Sequence, residues 1–229
     1  MRLAIIPARA GSKRIPGKNI APFHGRPMLG WAIAAACQSG CFDRVIVSTE
    51  DAGLAAVARE EGAETPFLRP AELADDHTGL IEVMAHALTT VDGEAEIACC
   101  ILPTAVMTTP RRLREGLDVL LADSSLDYVL SAQLYPHPIE RALRRDAAGR
   151  VVMDRPEYLS TRTQDLQEHF YDSGQFYWGR AAAWRAKRPV FAARSGMIVL
   201  AGHEAVDIDT PDDLARAETL FALSRKGPA

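Results

Sequence analysis

Apolar and polar positions along the chain fall into blocks that read as strands and helices in turn. "RLAIIPA" at the start is a continuous apolar run with the length of a buried strand. "PMLGWAIAAACQSG" follows as an alanine-rich helix that Gly40 closes. "DRVIVSTE" reads as the second strand; Asp51 then caps a helix to about Glu61, which Gly62 ends. "AETPFLRP" is expected as a short strand leaving into a loop, "GLIEVMAHALTTV" as helix, and "EIACCIL" as a third buried strand. Thr109 is placed as an N-cap with Pro110 at the first helical position, where its missing N–H costs nothing. Leu113, Leu117, Leu120 and Leu121 then supply one apolar face. "DYVLSAQLY" is a further strand. The last helix repeats the cap, with Thr210, Pro211 and then Asp212 and Asp213 complementing its dipole, and it buries Leu214, Ala217, Leu220 and Phe221.

Strand–helix alternation of this kind predicts one α/β domain over residues 1–229 with a mainly parallel sheet. Residues 135–170 break the rhythm: they are polar, marked by prolines and without a clear period. A structureless loop of that length is unusual inside a compact domain, so this stretch is expected to be an inserted arm with its own partner surface.

Composition excludes more than it identifies. With 229 residues, 48% hydrophobic and 24% charged, the chain is ordinary globular material. A pI near 5.9 speaks against a nucleic-acid binder. The first residues do not read as a signal peptide, and no apolar run approaches a membrane span, so a cytoplasmic protein is expected. Cys37, Cys41, Cys99 and Cys100 form no CxxC pair and are expected to be buried, reduced thiols. The six histidines are scattered, against a histidine-based zinc site.

Charge is segregated. The first 42 residues carry six Lys or Arg and no acid, whereas the whole chain is −4. Arg9, Lys13, Arg14 and Lys18 share one glycine-punctuated loop, "IIPARAGSKRIPGKN", directly after the first strand. A ligand at that place in an α/β sheet is expected, and the charge makes it a small anion. The loop is not a P-loop: five residues separate Gly11 from Gly17, and Asn19 stands where the hydroxyl belongs. Gly11 and Gly17 permit close backbone approach to phosphate oxygens, Arg9 offers a planar fork of donors, and Lys13 and Lys18 offer point charges. Near the other end, "VDIDTPDD" sets Asp207 and Asp209 two apart; on a strand both carboxylates would face one side. Two oxygen ligands opposite a phosphate loop suit Mg²⁺, which keeps waters and binds through substrate phosphates.

These stretches carry a resemblance. "IPARAGSKRIPGKN", "FDRVIVSTED", "FLRPAELADD" and "DIDTPDDL", in that order, are similar to the sugar-acid cytidylyltransferases, which make CMP-activated sialic acids. Within that family, "FLRPAELADDHTG" and "HFYDSGQFYW" most resemble the branch that acts on pseudaminic acid. The resemblance spans essentially the whole chain. It implies a three-layer, Rossmann-like fold of the nucleotide-diphospho-sugar-transferase type: a mainly parallel sheet flanked by helices, with a protruding dimerisation arm. It implies transfer of CMP from CTP to the anomeric hydroxyl of a nine-carbon sugar acid, with release of pyrophosphate. Arg9, Ser12, Lys13 and Lys18 would contact the triphosphate. Asn19, Gly11, Thr78 and backbone groups around Ala8 and Ala10 would surround the nucleotide, and Arg69 the cytosine. Arg9 and Lys18 would stabilise the charge on the reacting phosphates, Asp207 and Asp209 would bind the metal, and Asp209 could also orient the sugar hydroxyl.

Two departures bear on the sugar. Where the sialic acid branch has "QPTSP", this chain reads "LPTAV", so Leu102 replaces a sugar-touching Gln and a less polar contact is expected. Where that branch has Arg-Pro-Asn-Gly, this chain has "YDSGQ", making Tyr171, Ser173 and Gln175 candidate sugar contacts. The arm would pair two copies, with Arg162 a candidate for a shared pocket. N-acetylneuraminate and legionaminate remain alternative sugars. A glycosyltransferase, which would be expected to carry its DxD centrally, and a non-catalytic nucleotide-binding module remain alternative classes.

Overall fold

The computed structural model describes residues 1–75, 77–91 and 94–225. In chain order, the first half contains β1 (Arg2–Pro7), the short β2 (Pro22–Phe23) and β3 (Arg26–Pro27), α1 (Met28–Ser39), β4 (Arg44–Ser48), α2 (Ala52–Glu60), α3 (Leu80–Thr90) and β5 (Ile97–Ile101). The second half contains α4 (Pro110–Ala122), β6 (Tyr128–Leu134), β7 (Leu143–Arg145), β8 (Val151–Met153), β9 (Phe170–Arg180), α5 (Ala181–Arg185), β10 (Ser195–Leu200) and α6 (Pro211–Arg225). Six strands form one sheet in the order β10-β6-β9-β5-β1-β4. β1 pairs in parallel with β4 and β5, and β10 with β6, while β9 runs antiparallel between β5 and β6.

Period-two alternation sorts the strand residues into two layers. Ala4, Ile6, Cys99, Phe176 and Trp178 pack under α1, α2 and α4; Leu3, Ile5, Ala98, Cys100 and Tyr177 pack under α3 and α5. Both faces of the sheet are covered there, which is why its strands are apolar throughout. A third, smaller cluster joins Phe23, Val106, Val206 and Ile208 to Ala217 and Phe221 of α6. That cluster fixes the segment leading into α6.

The predicted caps form: Asp51 Oδ1 accepts from Leu54 N at 2.7 Å, Thr109 from Arg112 N at 3.3 Å, and Gly40 ends α1 in the left-handed region. At α6 the cap is reciprocal: Thr210 Oγ1 accepts from Asp213 N at 3.2 Å, and Asp213 Oδ2 accepts from Thr210 N at 2.8 Å. Four expectations need correction. "AETPFLRP" makes only a bridge between Glu64 and Ile46. Leu121 is exposed because Leu113, Leu117 and Leu120 complete the buried stripe of α4 without it. Cys37 is exposed, while Cys41, Cys99 and Cys100 are buried and free. Asp207 and Asp209 are on no strand, although their segment is extended.

Residues 135–170 hold a two-stranded antiparallel ribbon, β7 with β8, and short helical turns. Leu143, Val151 and Leu159 are exposed on it. No helix among the described residues is long and apolar enough to cross a membrane.

Candidate active site

A cleft of about 510 Å³ opens beyond the C-terminal ends of β1 and β5, where open α/β sheets place their ligands. One wall is the basic loop. Gly17 takes φ 62°, a left-handed turn that suits glycine, and leads into the helical turn Lys18–Ile20. Asn19 is buried and donates from Nδ2 to Arg9 O at 2.8 Å, tying the loop's two ends together. Arg9 in turn donates to Asp75 O at 3.0 Å, across the cleft mouth.

The adjoining wall is the Asp207–Asp209 segment. Ile208 is fully buried between them; burying such a side chain contributes about 1.5–3 kcal/mol, enough to keep both neighbours turned outward to the cleft. Lys18 Nζ donates to Ile208 O at 2.6 Å and lies 3.3 Å from Asp209 Oδ1. Arg14 Nη2 reaches the same carboxylate at 3.0 Å. The two ends of the chain therefore meet in one cleft. Asp207 is held differently: desolvation by the cleft walls and the charge of Asp209 push its carboxyl above the ordinary range, and Lys18 opposes this only in part. Two hard oxygen donors, one of them disfavoured as a bare anion, fit a divalent cation. Among the described residues no third His, Cys, Asp or Glu completes a metal cluster, so further ligands would have to come from substrate or water.

The structure separates the predicted residues into three groups. Arg9, Ser12, Lys13, Lys18, Asn19, Arg69, Thr78, Leu102, Asp207 and Asp209 all line this cleft. Thr78 is held there by Asp75, whose Oδ1 accepts both its N–H at 2.6 Å and its hydroxyl at 2.7 Å; the hydroxyl bond holds Asp75 below the usual carboxylate range. Ala8, Ala10 and Gly11 do not line the cleft. Ala8 N–H donates to Ser48 O at 3.0 Å and Ala10 N–H to Glu50 Oε1 at 2.8 Å, so these two donors are occupied within the protein.

The third group holds the other expected sugar contacts, which this chain does not bring into the cleft. Ser173 is buried and donates to Ser131 O at 2.9 Å. Gln175 is fully buried, with Oε1 accepting from Thr108 Oγ1 and Nε2 donating to Val206 O, both at 3.3 Å. Tyr171 donates to Gln133 Oε1 at 2.9 Å and lines a separate cavity of about 270 Å³ beside Phe191 and Met197. The alternation of β9 and its burial on both faces turn these side chains away from the cleft. Arg162 is exposed on the arm and does not line the cleft within this chain.

Sequence reasoning missed Asp75 and Glu50, and counted Arg14 in the basic loop without giving it a site role. That role could have been found from the loop's charge. Glu50 carries no local signal, because its role is a contact with a residue beyond the next helix: Oε2 accepts from Arg69 Nη2 at 2.8 Å. Arg69 also donates to Ser48 O at 3.3 Å and Ala8 O at 3.1 Å, while its buried Nε has no partner among the described residues. Burial lowers the pKa of this guanidinium and Glu50 opposes the shift.

The comparisons with known proteins follow the same lines. The chain is 34% identical over 227 residues to the pseudaminic acid cytidylyltransferase of Campylobacter jejuni subsp. jejuni, covering 98% of this chain and 97% of that one. It is 30% identical to the CMP-N,N'-diacetyllegionaminic acid synthase of Legionella pneumophila subsp. pneumophila, again over 98% and 97% of the two chains. In fold it is similar to CMP:2-keto-3-deoxy-manno-octonic acid synthetase complexed with CTP, with a TM-score of 0.73 over 97% of this chain and 99% of that one, at 18% identity. A model of the family described as Cytidylyltransferase matches residues 3–220, and the chain belongs to that family.

Proposed function

We propose that the protein transfers CMP from CTP to the anomeric hydroxyl of a nine-carbon sugar acid, with pseudaminic acid the substrate. The observation that carries this reading is the meeting of the basic loop with the late carboxylate pair, Lys18 Nζ 3.3 Å from Asp209 Oδ1, in a cleft of about 510 Å³. That volume suits a small-molecule site. Arg9, Ser12 and Lys13 hold the triphosphate, with Arg14 and Lys18 adding charge beside Asp209. Arg69, in the cleft lining, stands beside the base.

In the reaction the anomeric hydroxyl gives up its proton to solvent as its oxygen attacks the α-phosphorus in line, the bond from that phosphorus to the bridging oxygen breaks, and pyrophosphate leaves. Asp207 and Asp209 would hold Mg²⁺, which supplies charge neutralisation to the triphosphate when bound. Lys18 and Arg14 stabilise the negative charge that moves onto the leaving pyrophosphate, and Asp209 orients the attacking hydroxyl. No protein nucleophile is required. Leu102, in the cleft wall, offers the sugar an apolar contact.

The exposed Leu143, Val151 and Leu159 on the arm fit a second copy of the chain in a homodimer, and use of CTP fits a cytoplasmic reaction. Pyrophosphate release, measured with pseudaminic, legionaminic and N-acetylneuraminic acids side by side, tests the reading. Release that needs CTP, Mg²⁺ and pseudaminic acid supports it; faster release with another acid overturns the sugar, and none with any acid overturns the activity.

A further inference from the structure

β9 keeps its direction through a local turn at Gly174, where its register with β6 shifts beside the carboxylate segment. Gly174 takes φ +62°, and a Cβ built there would lie 3.2 Å from Asp207 Cγ and 3.4 Å from Asp207 Oδ1. Contacts that tight require the Asp207 carboxylate to give way by a few tenths of an ångström. The Asp207 side chain is exposed on the cleft side, whereas Val206 and Ile208 on either side of it are buried, so the displacement is directed toward the cleft. Three further bonds hold this turn, one of them to the residue before Asp207. Gly174 N–H donates to Asp172 Oδ1 at 3.0 Å, Gln175 Nε2 donates to Val206 O at 3.3 Å, and Leu102 N–H donates to Gln175 O at 2.9 Å. The last bond ties the same turn to the cleft wall.

We infer that Gly174 is a positioning residue: its missing side chain is the space into which the Asp207 carboxylate settles, and this sets the distance between Asp207 and Asp209 across which a metal–nucleotide complex is gripped. Gln175 holds the two backbones at that spacing from behind. The inference rests on the functional reading above and concerns the residue that shapes its metal side. It also gives the "SGQ" of β9 a role that its burial denies it as a direct sugar contact.

Backbone strain and steric displacement can be told apart at this position. Ala tolerates the left-handed region poorly, whereas Asn adopts it more readily, yet both carry the same Cβ. Gly174→Ala and Gly174→Asn should therefore differ in urea midpoint, with Ala lower, but weaken Mn²⁺-dependent CTP binding alike. Calorimetric titration of CTP in the presence and absence of Mn²⁺ reads this without turnover. We expect at least a tenfold loss of affinity in both variants with Mn²⁺, and less than a twofold change without it. In an Asp207→Ala background the same substitutions should add nothing to the loss. If binding falls in the Ala variant and not in the Asn variant, backbone strain is the cause and the inference is wrong. Wild-type affinity in both variants overturns it as well. A wild-type protein that binds CTP no better with Mn²⁺ than without it removes the metal role of Asp207, and with it the inference, while wild-type binding that Mn²⁺ enhances isolates any failure to Gly174.

Discussion

Glu50→Gln tests whether the cleft rests on a buried ion pair. The Arg69 side chain is 3% exposed and Glu50 21%, with Nη2 and Oε2 2.8 Å apart. Removing one partner from a buried pair costs about 3–5 kcal/mol, because the remaining charge stays buried without compensation. Partial exposure of Glu50 lets water screen its side of the pair, which puts the expected loss near the lower end, about 3 kcal/mol. The amide keeps an oxygen for Ala10 N–H, now 2.8 Å from Glu50 Oε1, so that bond need not be lost. Glu50→Ala removes it too, adding about 1 kcal/mol. For a domain of this size each kcal/mol shifts Tm by roughly 2–4 °C, so Glu50→Gln should lower it by roughly 6–12 °C. Urea denaturation is the assay, with midpoint and slope fitted separately. Because Arg69 also holds Ala8 O at 3.1 Å, the surviving folded protein should show a raised KM for CTP. A loss below about 1 kcal/mol at unchanged slope would mean that water already reaches Arg69 in the folded state, and the brace would have to be abandoned.

Two other outcomes are expected. Asp209→Asn should lower turnover by on the order of 100-fold or more while changing Tm little, since Asp209 is itself water-exposed beside the exposed Arg14 and Lys18 keeps its bond to Ile208 O; steady-state kinetics beside a thermal melt decides this. The hydrogen bond from Arg112 holds Glu204 below its ordinary value of 4.5, so its contribution is fully present above about that pH and is lost as pH falls toward the depressed folded value. Glu204→Gln should flatten the decline of the urea midpoint on acidification below pH 4.5; an equally steep decline in the variant would contradict the assignment.

Much of this was legible in the sequence because local rules decided it. The Asp51 and Thr109 caps, the Pro110 and Pro211 starts and the apolar runs of β1, β4 and β5 depend on neighbours a few residues away. β9 was not legible. "FYDSGQFYWGR" is buried on both faces, so it shows no alternation, and Gly174 interrupts it. The short, glycine-containing β10 gave equally little signal. At the site, the residue types that bring charge to the cleft were readable from composition and spacing, and their meeting was an expectation that Lys18 and Asp209 fulfil. What their backbones do was not readable: Ala8 and Ala10 spend their N–H groups on Ser48 and Glu50, contacts set by parallel pairing of β1 with β4. Likewise, the polar side chains of Ser173 and Gln175 looked available to a ligand, whereas the sheet directs them into a buried network with Ser131 and Thr108.

The account turns on Asp207 and Asp209 facing the basic loop across a shared metal–triphosphate. Anomalous diffraction from crystals grown with Mn²⁺ and CTP locates that ion directly. The account predicts one peak at coordination distance from both carboxylates and from triphosphate oxygens, with the phosphates against Lys13 and Lys18. A manganese peak or a triphosphate found away from these side chains would contradict it.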